Sequence, residues 1–481
     1  MAKRDNAGGA AGQSFDYDLL VIGSGPSGQR AAIQAAKLDK RVAVVERARA
    51  VGGVCVHTGT IPSKTFREAV MHLSGFRERG IYGGSYRVKQ DITIDDLLHR
   101  VNHVVSSEVD VIRAQMSRNR VQLLEGSASF VDVHTVELVS PSGAGTQQLS
   151  AGHIVIACGT EAARDTHIPF DGQRIFTSDD ILGLRFLPRS IIVVGAGVIG
   201  VEYATMFAAL GVRVTIVDKR PVLLPFLDHE ISTALTYIGQ HQNILMRLGE
   251  EVAEIAVVED HGKPVEVRLK SGKTLHAEAA LYSIGRVGAT ARLQLERAGV
   301  ECDERHRIPV NQNFQTNVEH IYAVGDVIGF PSLASTSYEQ GRAAARHAFG
   351  LLRDDASGTV SLFPYGIYTV PEISTIGKSE NELTQAGTPY EVGKAYYREI
   401  ARGQIIGDRN GLLKLLFCPS SRHLLGVHII GEGASELIHI GQAVMALGGT
   451  IDYFVDAVFN FPTLGECYKT AALDGLNRMA Y

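Results

Sequence analysis

Two stretches of this chain repeat one pattern, and that pattern leaves them few ways to fold. In the first, the apolar run Tyr17–Ile22 leads into Gly23-Ser-Gly25-Pro-Ser-Gly28. An alanine-rich segment then runs to about Leu38, and Arg41–Val45 ends in Glu46. In the second, Ser190–Val194 leads into Gly195-Ala-Gly197-Val-Ile-Gly200. A segment to about Leu210 follows, and Arg213–Val217 ends in Asp218. Apolar runs this short suit buried parallel strands. A glycine turn that opens a helix aims backbone N–H groups and the positive helix end at a phosphate. Gly23 and Gly195 would make the tight turn, Gly25 and Gly197 would admit a pyrophosphate, and Gly28 and Gly200 would let helix and strand pack closely. Glu46 and Asp218 would accept hydrogen bonds from a ribose diol. One glycine turn is often only structural. Two complete units, each with its strands and its acid, point to two bound dinucleotides.

The second unit ends in Asp218-Lys219-Arg220. An acid suits the 2′-hydroxyl of NAD, and a cation suits the 2′-phosphate of NADP. Both signs stand in consecutive positions, so both coenzymes are expected, unless Lys219 and Arg220 are ordinary solvated loop charges.

Between the fingerprints lies Val51–Lys64, VGGVCVHTGTIPSK. Pro62 and Ser63 suit the first turn of a helix, by fixed φ and by capping. The helix is expected from Lys64 through Leu73, with Cys55 in the turn before it. Together with the two fingerprints, this stretch resembles the redox motif of the class I pyridine nucleotide–disulfide oxidoreductases, which are flavoproteins. Their disulfide-using members carry a second Cys five positions after the first. Thr60 stands there in this chain, and a hydroxyl forms no disulfide. The resemblance implies that Gly53 and Cys55 lie by the flavin ring, that Lys64 is near its N5, and that Glu202 pairs with Lys64. From spacing alone, Lys64 and Glu202 read equally well as surface helix residues. A lone Cys55 either lines the flavin or acts as a thiol.

The resemblance extends along the chain. Ala128, in Gly126–Phe130, matches the segment whose backbone pairs with adenine. Ile154–Thr160 reads as a buried strand ending at Gly159. Leu281–Arg286 closes the second unit at Gly285. Asp326, ending Thr316–Asp326, would bond the ribityl chain. A helix from about Ala334 through Gly350 would aim its N-terminus at the flavin pyrimidine. In the C-terminal part the family lends a partner subunit a His-Pro base and a Glu. Glu466 is kept here, but Phe461 replaces the His and has no proton to exchange.

The expected fold class is α/β, with two Rossmann-like dinucleotide-binding domains, for FAD and NAD(P), and a C-terminal α+β dimerisation domain. The expected division is a disordered tail over 1–14, an FAD domain over 15–160 and 291–360, an NAD(P) domain over 161–290, and an interface domain over 361–481. With FAD bound, NAD and NADP are the expected substrates of a ping-pong transhydrogenation, with Si-side transfer, in a homodimer or larger homo-oligomer. The alternatives are a diaphorase or quinone reductase, and a flavoprotein that senses oxidants through Cys55.

Composition narrows the setting. A formal net charge of -5 argues against a nucleic-acid partner. The most apolar stretch, Ile191–Val217, carries Glu202 and Arg213, unlike a membrane span. Five scattered cysteines with no metal-ligand spacing suit a reducing cytoplasm.

Overall fold

The computed structural model describes residues 15–479 apart from 49, 142–144, 259–261, 263 and 352–361. The expected tail over residues 1–14 lies outside them. The chain divides into two compact units. One is built from Met1–Val56, Ser107–Glu161 and Val287–Val360, the other from His57–Ser106, Ala162–Arg286 and Ser361–Tyr481.

In the first unit Tyr17–Ile22 pairs in parallel with Val42–Glu46 on one side and Thr146–Ile156 on the other. Gln122–Glu125 and Ile321–Ala323 extend this parallel sheet at its two sides. The strand expected over Ile154–Thr160 is the last part of the eleven-residue Thr146–Ile156 and ends before Gly159. The N-terminal half of that strand pairs antiparallel with Thr135–Val139, which pairs with Ser127–Phe130. Alternate residues Leu20 and Ile22, Ala43 and Val45, and Ile154 and Ile156 share one buried cluster with Phe130 and Ile321. That is the period of two that a pleated strand imposes. The helices Pro26–Ala36 and Ala334–Ala348 cross closely, because a Cβ on Gly341 would lie 2.1 Å from the Ser27 carbonyl oxygen.

The second unit contains a parallel sheet in the order Leu245–Leu248, Arg213–Asp218, Ser190–Val194, Ala279–Tyr282, Ile175–Thr177. An antiparallel sheet of Tyr365–Ile367, Ile373–Gly377, Leu424–Ile430, Leu412–Phe417 and Glu391–Tyr396 forms its C-terminal part. Helix Thr60–Leu73 belongs to this unit. Phe66 packs edge-on against Tyr203 and Phe207 of helix Val198–Ala209, with ring centroids 6.2 and 6.3 Å apart. Among the described residues no helix is long and apolar enough to cross a membrane.

Two local expectations differ from the structure, and a third is refined by it. The helix begins at Thr60, not Lys64, so Pro62 is its third residue, where a missing N–H costs nothing. Cys55 does lie in the turn before this helix, but that turn is itself helical, Gly53–His57. Ser63 does not cap: its hydroxyl donates back to the Thr60 carbonyl at 3.1 Å, and the N-cap position is Gly59, which has no side chain.

Candidate active site

The two glycine turns are built alike. Gly23 and Gly195 have φ of +107° and +105°, a region side chains rarely adopt. A Cβ on Gly28 would lie 2.0 Å from the Gly23 carbonyl oxygen, and a Cβ on Gly200 would lie 2.0 Å from that of Gly195. Gly25 and Gly197 face open space at the helix starts. Neither first turn carries an acid, so nothing there opposes a phosphate. These cradles fit dinucleotides.

In the first unit, Glu46 Oε2 accepts from the Ser24 N–H at 3.0 Å and from the Ser24 hydroxyl at 2.6 Å. Oε1 accepts from the Ala48 N–H at 2.9 Å. The Ser24 hydroxyl also accepts from the Gly52 N–H at 2.9 Å, which ties the turn to the segment entering Cys55. Gly53, at φ +60°, brings its backbone against Gly25: an added Cβ would lie 3.0 Å from the Gly25 Cα. The Gly126 N–H donates to the Glu46 carbonyl at 2.9 Å, which sets strand Ser127–Phe130, and Ala128, beside the acid. Gly159, at φ +67°, faces open space. The Gly325 N–H is held by Gln340 at 2.8 Å, and Asp326 opens the short turn Asp326–Ile328. Ala334 begins the helix that carries Tyr338, whose phenol is pushed up by burial and then by the nearby Cys55 thiol.

In the second unit, Lys64 and Glu202 meet as expected. Nζ lies 2.8 Å from Oε2 and 3.0 Å from Oε1. Glu202 is buried, with 4 % of its side chain exposed against 26 % for Lys64, so it is no solvent-facing helix residue. Sequence reading missed the third member. The Tyr368 N–H donates to Glu202 Oε1 at 2.8 Å, and its ring lies under the Lys64 ammonium at 4.7 Å. Thr205 fixes the same segment, just past strand Tyr365–Ile367, by accepting from the Val370 N–H at 3.0 Å. Next on the helix, the buried Arg67 pairs with Glu372 at 3.1 Å and donates to the Thr369 carbonyl at 3.0 Å. Nothing in local spacing marks Tyr368, because its role is carried by a backbone N–H and a ring face.

Asp218 and Arg220 are paired. Arg220 Nε donates to Oδ1 at 2.9 Å and Nη2 to Oδ2 at 2.7 Å, while Lys219 is exposed. Burial raises the Asp218 carboxyl, but the Arg220 and Ala196 hydrogen bonds outweigh it and hold it below the usual range. Gly285, at φ +156°, accepts from the Ala163 N–H at 3.0 Å, and Arg286 pairs with Asp179 at 2.7 Å. At the C-terminal end Phe461 is 74 % exposed, and Glu466 starts helix Glu466–Met479. All five cysteines are free thiols. No cluster of three or more potential metal ligands occurs among the described residues.

Two glycine cradles, each clasped by the acid that ends its second strand, define a protein built for two dinucleotides. Residues 17–341 match the pyridine nucleotide-disulphide oxidoreductase family, and residues 363–472 match its dimerisation domain. The chain belongs to that family. Over 465 residues it is 54% identical to the soluble pyridine nucleotide transhydrogenase of Mycobacterium bovis (strain BCG / Pasteur 1173P2), covering 96% of this chain and 98% of that one. It is 45% identical over 473 residues to the enzyme of the same name from Colwellia psychrerythraea, covering 97% and 99%. Among solved structures it is similar to LpdA from Mycobacterium tuberculosis, with a TM-score of 0.85, 26% identity, and 95% and 99% coverage. It is also similar to the HOCl-induced flavoprotein disulfide reductase RclA of Escherichia coli, with a TM-score of 0.84, 25% identity, and 95% and 99% coverage.

Proposed function

We propose that this chain is a FAD-dependent soluble pyridine nucleotide transhydrogenase that moves hydride reversibly between NADPH and NAD+. The observation that carries this reading is Thr60 at the position of a second redox thiol, in a chain that keeps both dinucleotide cradles and the Lys64–Glu202 pair. Phe461 in place of a base points the same way, because hydride exchange between nicotinamides releases no thiolate that needs a proton.

Bound FAD supplies a two-electron relay between the coenzymes. The residues of the chain supply position and charge. Gly23, Gly25 and Gly28 with Glu46 hold one dinucleotide, with Gly53, Cys55, Ala128, Gly159, Asp326 and the helix starting at Ala334 assigned to the flavin. Gly195, Gly197, Gly200 and Gly285, with Asp218, Lys219 and Arg220, are assigned to the nicotinamide coenzyme. Lys64 holds a positive charge for the reduced flavin, and Glu202 fixes that ammonium in place. Cys55 lines the flavin without entering the chemistry. Hydride passes on the Si side, and the two coenzymes use one site in turn.

By function we assign an FAD domain over 15–160 and 291–360, an NAD(P) domain over 161–290 and an interface domain over 361–481. A cytoplasmic homodimer acting on small coenzymes completes the reading.

Steady-state transfer from NADPH to thio-NAD+ tests it, with lipoamide, glutathione disulfide and a quinone as parallel acceptors. Rapid thio-NAD+ reduction with inert disulfides, retained in Cys55→Ser, is expected. Fast quinone reduction without thio-NAD+ turnover would replace this reading with the diaphorase. Peroxide-dependent loss of the Cys55 thiol, with little turnover by NADPH, would favour the thiol sensor.

A further inference from the structure

The two fingerprints use their acids differently. An ionised carboxylate offers about four acceptor directions. Glu46 spends three, on the Ser24 N–H, the Ser24 hydroxyl and the Ala48 N–H, so among the described residues one acceptor direction on Oε1 stays open for a ribose. Asp218 repeats the two backbone bonds of Glu46. Its Oδ2 accepts from the Ala196 N–H at 2.5 Å, and its Oδ1 accepts from the Arg220 N–H at 2.8 Å. The guanidinium of Arg220 takes the other two directions, at 2.9 and 2.7 Å. Asp218 is therefore saturated, and only 6 % of its side chain is exposed.

Arg220 is the opposite case. Its side chain is 40 % exposed, and Nε and Nη2 are committed to Asp218, while Nη1 has no partner among the described residues. The backbone beneath the pair is fixed too. The Glu250 N–H donates to the Asp218 carbonyl and the Gly249 N–H to the Arg220 carbonyl, both at 3.1 Å. The guanidinium is thus held at the strand end where a dinucleotide presents its adenosine ribose, and the ion pair cancels the carboxylate charge that would repel a phosphate.

We infer that Asp218 is the positioning residue for Arg220 and not a ribose acceptor, and that Arg220 selects the 2′-phosphorylated coenzyme. NAD(H) gains the Asp218 carboxylate only by displacing the guanidinium, so the resting site favours NADP(H). This rests on the assignment of the Gly195–Gly200 cradle to the nicotinamide coenzyme.

Direct binding tests it without turnover. Calorimetry on the flavin-loaded protein would compare adenosine 2′,5′-bisphosphate with 5′-AMP, for the wild type, Arg220→Ala and Asp218→Asn. Flavin absorbance and thermal midpoint would verify that each variant is folded. The wild type is expected to prefer the bisphosphate. Arg220→Ala should weaken it by about 10- to 100-fold, the worth of charge-assisted hydrogen bonds, while 5′-AMP binds unchanged or tighter. Asp218→Asn should weaken the bisphosphate more than 5′-AMP, because the guanidinium loses its anchor. The opposite order in Asp218→Asn, or a preference that survives Arg220→Ala, overturns the inference. Absent thio-NAD+ turnover together with the expected binding pattern would instead fault the proposed reaction and leave this assignment standing.

Discussion

Lys64 and Glu202 are 138 positions apart in the chain and 2.8 Å apart in space. The buried member is the acid, so the pair is asymmetric: losing the lysine strands a carboxylate away from water. Breaking a buried pair by removing one partner costs about 3–5 kcal/mol. Lys64→Met should fall near about 3 kcal/mol, the low end, because the ammonium is partly solvated in the wild type. Urea unfolding of the two proteins measures this. Equal midpoints would show that the pair contributes nothing to stability.

Tyr368 should matter through its ring and not its hydroxyl. A cation over an aromatic face is worth about 1 kcal/mol when partly desolvated, and that is about fivefold in a rate. Stopped-flow reduction by NADPH should therefore be nearly unchanged in Tyr368→Phe and slowed about fivefold in Tyr368→Leu. A slow Phe variant would move the role to the hydroxyl.

Stability should fall on mild acidification. His428 is 2 % exposed, its Nε2 faces the Lys378 carbonyl at 2.9 Å, and its Nδ1 meets the Thr375 hydroxyl. Burial, with help from Lys414, holds the imidazole below its ordinary value of 6.5, against the opposing pull of Asp228 and Glu382. The unfolded chain then takes up the proton first. This contribution is fully present above about pH 6.5 and declines as pH falls below it, by at most about 1.4 kcal/mol per pH unit. Urea midpoints at pH 7.5 and 5.5 should differ more for the wild type than for His428→Asn. Part of the slope should survive in the variant, because burial also lowers His153. Identical slopes would exclude His428 as the cause.

Thiol reactivity should rank by environment. Hydrogen bonds from Ser420 and Ser421 pull Cys418 down to about 6, whereas burial pushes Cys158 and Cys467 up to about 12. The thiolate is the nucleophile. Iodoacetamide at pH 7, followed by peptide mass spectrometry, should mark Cys418 well before Cys158 and Cys467. Early labelling of Cys158 or Cys467 would contradict this order.

Both dinucleotide cradles were legible in the chain because their rules are local. Each glycine sits where a turn, a phosphate or a packed helix demands it, and each acid follows within one strand–helix–strand unit. The absence of a redox disulfide was legible for the same reason: Thr60 settles it by its chemistry alone. The helix start was read four residues late because Pro62 and Ser63 suggested a first turn, whereas Gly59 provides the N-cap position without any side-chain signal.

Local residue order thus carries the pair of strand–glycine–helix units and the chemistry that Thr60 and Phe461 remove. Which groups meet is fixed by how the chain packs. Packing of Phe66 on Tyr203 and Phe207 brings Lys64 to Glu202, and the segment after strand Tyr365–Ile367 brings Tyr368, 166 positions after Glu202, to both. Folding also brought Arg220 back onto Asp218, two neighbours that sequence reading treated as separate ribose and phosphate ligands. Backbone periodicity is set by near neighbours and survives in the sequence. The partners of a charge are set by burial, which is decided only when distant segments have packed.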